Sequence, residues 1–135
     1  MTALGIDYGT KRIGLAITDE LEIIASPLKV IPNDAKTLAE IKGLVAQRKI
    51  DTVVVGLPLK MDGSVGPAAE AATRFAEALQ KEVNATVQTF DERLTTAQAE
   101  RAMLRHDVSR TRRARRRDQM AAQFLLQSFI DSKKR

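Results

Sequence analysis

Four acidic residues, Asp7, Asp91, Glu92 and Asp118, lie far apart in the chain, yet the pattern around each puts it at the end of an element. Asp7 falls at the close of the apolar run 3–8 (ALGIDY), just before Gly9. Asp91 and Glu92 follow the alternating run 86–90 (TVQTF). Asp118 opens the last helical stretch on its apolar side, three residues before Ala121 and seven before Leu125. Ligand sites in α/β sheets gather at strand carboxyl ends, so three elements can bring carboxylates together there. Clustered carboxylates repel one another and resist ionising together. A hard dication removes that penalty: Mg²⁺ or Mn²⁺ takes carboxylate and water oxygens, and Mg²⁺ commonly adds phosphate oxygens of a substrate. Two such ions about 3.5–4 Å apart activate a water and stabilise the leaving oxygen of a phosphodiester. Plainer uses stay open for each residue: an Asx bond before Gly9 for Asp7, an ion pair with Arg93 for Asp91 or Glu92, and a helix N-cap for Asp118.

Two glycine-rich loops add anion-binding chemistry. Gly5-x-Asp7-x-Gly9-Thr10-Lys11-x-x-Gly14 is a tight hairpin in which Gly9 and Thr10 let backbone N–H groups approach an anion, while Lys11 and Arg12 supply charge. The stretch 56–66 (GLPLKMDGSVG), with Gly63 and Ser64, leads into a helix N-terminus, which attracts phosphate. Either loop can equally be an ordinary turn in which glycine supplies positive φ. The lone His106 is read as a helix-end residue and not as a base.

The elements that must position these groups follow from periodicity. Runs 3–8, 13–18 (IGLAIT) and 22–31 (EIIASPLKVI) predict three strands in an antiparallel meander, with Pro27 at an edge or a bulge. Leu38, Ile41 and Val45 predict a helix capped by Asn33 or Asp34. The β-branched run 52–55 (TVVV) predicts a strand covered on both faces. Pro67 suits the first turn of a helix carrying Ala72, Phe75, Leu79 and Val83. A strand at 86–90, a capping box at Thr95-x-x-Gln98 and a helix near 118–131 with Ala121, Leu125 and Ser128 on one face complete the chain. The order βββαβαβα implies an α/β sandwich around a mixed sheet.

The 135 residues fit one domain, 1–135, ending in a basic segment from about 101 to 135. Net charge is +5, but residues 1–100 hold 11 Lys and Arg against 14 Asp and Glu, net −3, whereas 101–135 hold 11 against 3, net +8. The run Arg110–Arg117, with Arg112, Arg113, Arg115, Arg116 and Arg117, reads as a phosphate-binding face or as a solvated tail. Aromatics are 4% of the chain, so base stacking on aromatic rings should not dominate. Cysteine is absent, which excludes disulfides, thiolate metal sites and cysteine nucleophiles. The start MTALGID lacks a secretory pattern, and no apolar run approaches the roughly 20 residues that span a bilayer, so a cytoplasmic protein with no membrane partner is expected.

Residues 5–14 (GIDYGTKRIG), 56–66 (GLPLKMDGSVG), 91–96 (DERLTT) and 118–127 (DQMAAQFLLQ) together resemble the YqgF family, also called RuvX-like, to which Holliday junction resolution and pre-16S ribosomal RNA cleavage are ascribed. The resemblance covers nearly the whole chain, with four motifs in order. It implies a ribonuclease H-like fold with a mixed five-stranded sheet, and a catalytic acidic set at Asp7, at Asp91 or Glu92, and at Asp118. It also implies trimming of the 5′ end of the 16S rRNA precursor, with resolution of four-way DNA junctions as the alternative and a non-catalytic nucleic-acid adaptor as a third. Arg93 joins Lys11, Arg12 and the arginine run as a candidate nucleic-acid contact. RNA is expected over a DNA junction, because paired symmetric cuts require a two-fold dimer and the helices show no apolar stripe beyond what the core uses. A monomer or weak homodimer is therefore expected.

Overall fold

The computed structural model describes residues 1–94 and 110–133, with side chains placed for 1–93 and 120–133. Strands β1 (Ala3–Tyr8), β2 (Arg12–Thr18), β3 (Ala25–Pro32), β4 (Thr52–Leu57) and β5 (Thr86–Asp91) form one sheet in the order β3-β2-β1-β4-β5. The meander β1–β2–β3 is antiparallel, and β4 and β5 run parallel to β1. Helix α1 (Thr37–Gln47) carries the chain from β3 to β4, and α2 (Pro67–Gln80) carries it from β4 to β5. A 3₁₀ turn at Glu92–Leu94 follows β5, and the last described helix is α3 (Arg110–Lys133).

Side chains alternate across each strand, so each face of the sheet meets a different layer. Leu4, Ile6, Ile13, Leu15, Val53 and Val55 pack against Ile41 and Val45 of α1 and Ala72, Phe75 and Leu79 of α2. Ala3, Ala16, Ala25 and Val54 pack against Ala122, Leu126, Phe129 and Ile130 of α3. Small residues dominate this second face, and they let α3 lie close. A Cβ added at Gly5 would come 2.8 Å from the Leu126 Cβ and 3.3 Å from the Ala122 carbonyl oxygen.

The mixed five-stranded architecture expected from the sequence is the one observed. Pro27 lies on edge strand β3, beside a register irregularity where Leu15 pairs with Lys29 and Ala16 with Pro27. Five details differ. Helix α2 ends at Gln80, so Val83 packs against the core from beyond the helix. Helix α3 already begins at Arg110, so Asp118 lies inside it and is neither its opening residue nor its N-cap. Strand β3 begins at Ala25, because Asp19 Oδ1 accepts the Ile23 and Ile24 N–H groups and holds residues 19–24 in a turn. Helix α1 starts at Thr37 without a side-chain cap: Asn33 Nδ2 donates instead to the Gly9 carbonyl, and Asp34 Oδ1 accepts the Lys36 N–H. The buried stripe of α3 is Ala121, Ala122, Leu125, Leu126, Phe129 and Ile130, while Ser128 sits half-buried beside it. Thr95, Thr96, Gln98 and His106 lie outside the described residues.

Candidate active site

The direction of α3 decides what reaches the carboxyl edge of β1. Near the end of α3, Gln127 Oε1 accepts the Ala25 N–H at 2.8 Å, and Lys133 pairs with Glu22 at 3.5 Å. Ala25 pairs with Thr18, and Ile17 with Leu4, so this is the amino end of β1. The helix therefore runs antiparallel to β1, with its earlier residues toward Asp7. Position 118 lies one turn before Ala122, about 6 Å along the axis. Asp7 lies two residues beyond Gly5, about 6.6 Å along the strand and on the same face. Backbone geometry thus brings position 118 to the level of Asp7. The Asp118 side chain, like those of Arg112, Arg113, Arg115, Arg116 and Arg117, lies outside the described residues.

Asp91 and Glu92 part company at the end of β5. Phe90 packs on the α3 face, with its ring 5.7 Å from that of Phe129. Alternation sends Asp91 to the opposite side and returns Glu92 to the α3 side. Glu92 is 1% exposed, and its carboxylate lies over Gly56, whose missing side chain leaves the room: a Cβ there would fall 2.5 Å from Glu92 Oε1. Ile6 pairs with Val55, so the register continued by one sets Gly56 beside Asp7. Glu92 therefore sits over the strand next to Asp7, which is itself only 9% exposed. Two buried carboxylates one strand apart offer hard oxygens, the kind of donor that Mg²⁺ or Mn²⁺ would take. Among the described residues no three His, Cys, Asp or Glu side chains gather as a metal-holding group, so a third carboxylate would have to come from outside them.

Asp91 is engaged elsewhere. Its carboxylate receives both the Nε and Nη2 donors of Arg93, the latter at 2.9 Å, as well as the Arg93 N–H. The Arg93 hydrogen bond holds the Asp91 carboxyl below the usual aspartate range. Arg93 Nη1 also donates to the Met61 carbonyl at 3.2 Å, which ties the end of β5 to the loop after β4. Within that loop Gly63 takes φ 89°, and Ser64 turns its N–H and hydroxyl onto Asp62 Oδ1 at 2.9 and 2.6 Å. Those donors serve the turn. At the β1–β2 hairpin, Thr10, Lys11 and Arg12 are exposed beyond the end of β1 that carries Asp7. Asn33 pins this hairpin through the Gly9 and Lys11 carbonyls.

The sequence reading missed the role of Gly56. A glycine at the end of a β-branched run is itself a signal of close approach, and here the approaching group is a carboxylate.

A mixed sheet in this order, with a helix laid across its first strand and buried carboxylates at its carboxyl edge, defines a ribonuclease H-like fold. Solved structures agree: Thermus thermophilus RuvC in complex with Holliday junction substrate superposes with a TM-score of 0.61 at 14% identity, covering 99% of this chain and 96% of that one. The fowlpox virus resolvase bound to Holliday junction DNA gives 0.58 at 14% identity, with both chains fully covered. The chain belongs to the RuvX family, whose model, described as "RuvX: Holliday junction resolvase", matches residues 1–132. A relative from Geobacillus kaustophilus is 43% identical over 99% of this chain and 100% of its own length. One from Moorella thermoacetica is 47% identical over 97% and 95%. Both carry the name "Putative pre-16S rRNA nuclease".

Proposed function

We propose that this chain, as one domain over residues 1–135, is a divalent-metal-dependent endonuclease that cuts the 16S rRNA precursor near its 5′ end. The observation that carries this reading is the burial of Asp7 and Glu92 on one face of the sheet, one strand apart, at the carboxyl edge toward which α3 carries position 118. A cation between two carboxylates on neighbouring strands would favour their charged forms. Asp7, Glu92 and Asp118 would hold Mg²⁺ or Mn²⁺, with Asp91 reserved for Arg93. The bound ion supplies an activated water and stabilisation of the leaving oxygen. Lys11 and Arg12 at the hairpin would steer the phosphate backbone toward Asp7, and the arginines of α3 would add charge along it. The substrate class rests on the names of the relatives, and a cytoplasmic site of action goes with it.

Junction resolution is a second reading, favoured by one observation besides the family description. Leu21, Ile23 and Ile24 are exposed together at the β2–β3 turn, an apolar surface that the helical stripes did not reveal and that a two-fold dimer could cover. Purified protein on matched precursor RNA and four-way junction, with Mn²⁺ and with chelator, tests both. Metal-dependent RNA cleavage by a monomer is expected. Paired symmetric junction nicks by a stable dimer, with RNA left intact, would replace the first reading by the second. Binding without cleavage of either would make the chain an adaptor.

A further inference from the structure

We propose that Met61 is an apolar wedge that inserts beside a nucleobase next to the cleaved phosphodiester. The inference rests on the nuclease reading and adds a contact that the carboxylates cannot supply.

Met61 is 82% exposed, the most exposed large apolar side chain among the described residues. Isolated exposed apolar residues are ordinary and by themselves mean little. Met61 differs in how it is held. It occupies the tip of a turn closed by Gly63 N–H to the Lys60 carbonyl at 2.8 Å and by Lys60 N–H to the Ser64 carbonyl at 3.0 Å. Gly63 supplies the positive φ that this closure needs. Asp62, the residue after Met61, is fixed by both donors of Ser64. From outside the turn, Arg93 Nη1 holds the Met61 carbonyl, and Asp91 in turn holds Arg93. The residue before Arg93 is Glu92. The tip is thus braced from two directions and tied, through one arginine, to the segment bearing a candidate metal ligand.

Turn tips favour Gly, Pro, Asn, Asp and Ser, and an exposed methionine gains nothing there from the fold. A rigid apolar tip is suited to insertion, because its ordering cost is met before substrate arrives. Methionine is among the side chains that wedge between base steps and unstack them. Val65, 59% exposed at the base of the same turn, widens the apolar face, and Lys60 beside Met61 brings a cation for the adjoining phosphate. A nucleobase face offers no particular hydrogen-bond pattern to such a tip, so the contact opens the strand without reading sequence. An unpaired or single-stranded step is the fitting ligand, because a duplex step would have to be unstacked first.

The test uses the full chain carrying Asp7→Asn, so that substrate stays whole, with precursor RNA bearing 2-aminopurine at successive positions around the cleavage site. Unstacking of the probe brightens it. Binding should brighten one position next to the cut, Met61→Leu should keep the signal, and Met61→Ala should abolish it and weaken binding about five-fold. Thermal stability should not change, since the side chain is in solvent. Equal brightening and affinity in Met61→Ala, with Met61→Ala alone cleaving as wild type, would overturn the wedge and leave the nuclease reading intact. If the parent protein binds no precursor RNA, both fall together.

Discussion

The Glu92 carboxylate fills the space that a side chain at position 56 would occupy, with Oε1 2.5 Å and Cδ 2.8 Å from where a Cβ on Gly56 would lie. Gly56→Ala must displace it. The clashing atoms are the end of a side chain, so the carboxylate yields rather than the strand. Stability should fall by only about 1 kcal/mol, the low end for overpacking, while cleavage should be largely lost. Urea unfolding alongside a cleavage assay measures the two, and wild-type turnover in Gly56→Ala would show that the seat of Glu92 is immaterial.

Gly5→Ala should behave in the opposite way. Its Cβ would meet the Leu126 Cβ at 2.8 Å and the Ala122 carbonyl at 3.3 Å, neither of which can swing aside. The helix must lift, at a cost of about 1–3 kcal/mol, and position 118 must move with it. A lowered melting temperature together with weakened Mn²⁺ binding is the expected pair of results. A lowered melting temperature with unaltered metal affinity would separate the helix from the site.

The neighbours Asp91 and Glu92 should give unequal variants. Asp7→Asn, Glu92→Gln and Asp118→Asn should each cost more than the roughly 10–100-fold typical of groups one shell away from a metal. Asp91→Asn should stay within that range. The first three should fold, because removing a clustered carboxylate relieves repulsion, and Asp91→Asn should fold with the loss of one partly exposed ion pair. Single-turnover rates in Mn²⁺ decide the matter, and the reverse ranking would move the ligand from Glu92 to Asp91.

Acid should reveal the Asp91–Arg93 pair. Hydrogen bonding from Arg93 lowers the folded-state value of Asp91 below its ordinary 3.8. A depressed carboxylate stabilises fully above the unfolded value and loses that contribution as pH falls through the lower folded value. The melting-temperature gap between wild type and Asp91→Asn should thus be constant at neutral pH and close below about pH 4. A gap that persists to pH 2 would mean the pair adds nothing dependent on charge.

The arginines of α3 should contribute through phosphates. Each neutralised phosphate adds about −0.7 to −0.9 to the slope of log K against log salt, so Arg112, Arg113, Arg115 and Arg116 changed together to Ala should flatten it by roughly two to four units. Fluorescence anisotropy across a salt series measures this. An unchanged slope would make the run a bystander surface.

Much of this arrangement is legible in the sequence, because the informative signals are local. The TVVV run, Pro67 and the alternation around Phe90 each specify an element without tertiary knowledge. Asp7 and Glu92 announce themselves as acids at strand ends. Choosing between Asp91 and Glu92 requires knowing which face of β5 meets α3, and that face is set by Glu92 over Gly56, 36 residues away, and by Phe90 against Phe129, 39 residues away. The same limit applies to the start of α1, where Asn33 leaves its capping role for the hairpin at Gly9. Residues whose partners are distant in sequence carry little of that information in their own type.

The small-residue face of the sheet has a consequence in time. Ala3 and Gly5 are made more than a hundred residues before Ala122, Leu126, Phe129 and Ile130, which cover that face. At synthesis rates of about 5–20 residues per second, the intervening stretch keeps that face bare for roughly ten seconds. A nascent chain that has not yet made α3 thus leaves this face, and the carboxylates at its edge, uncovered.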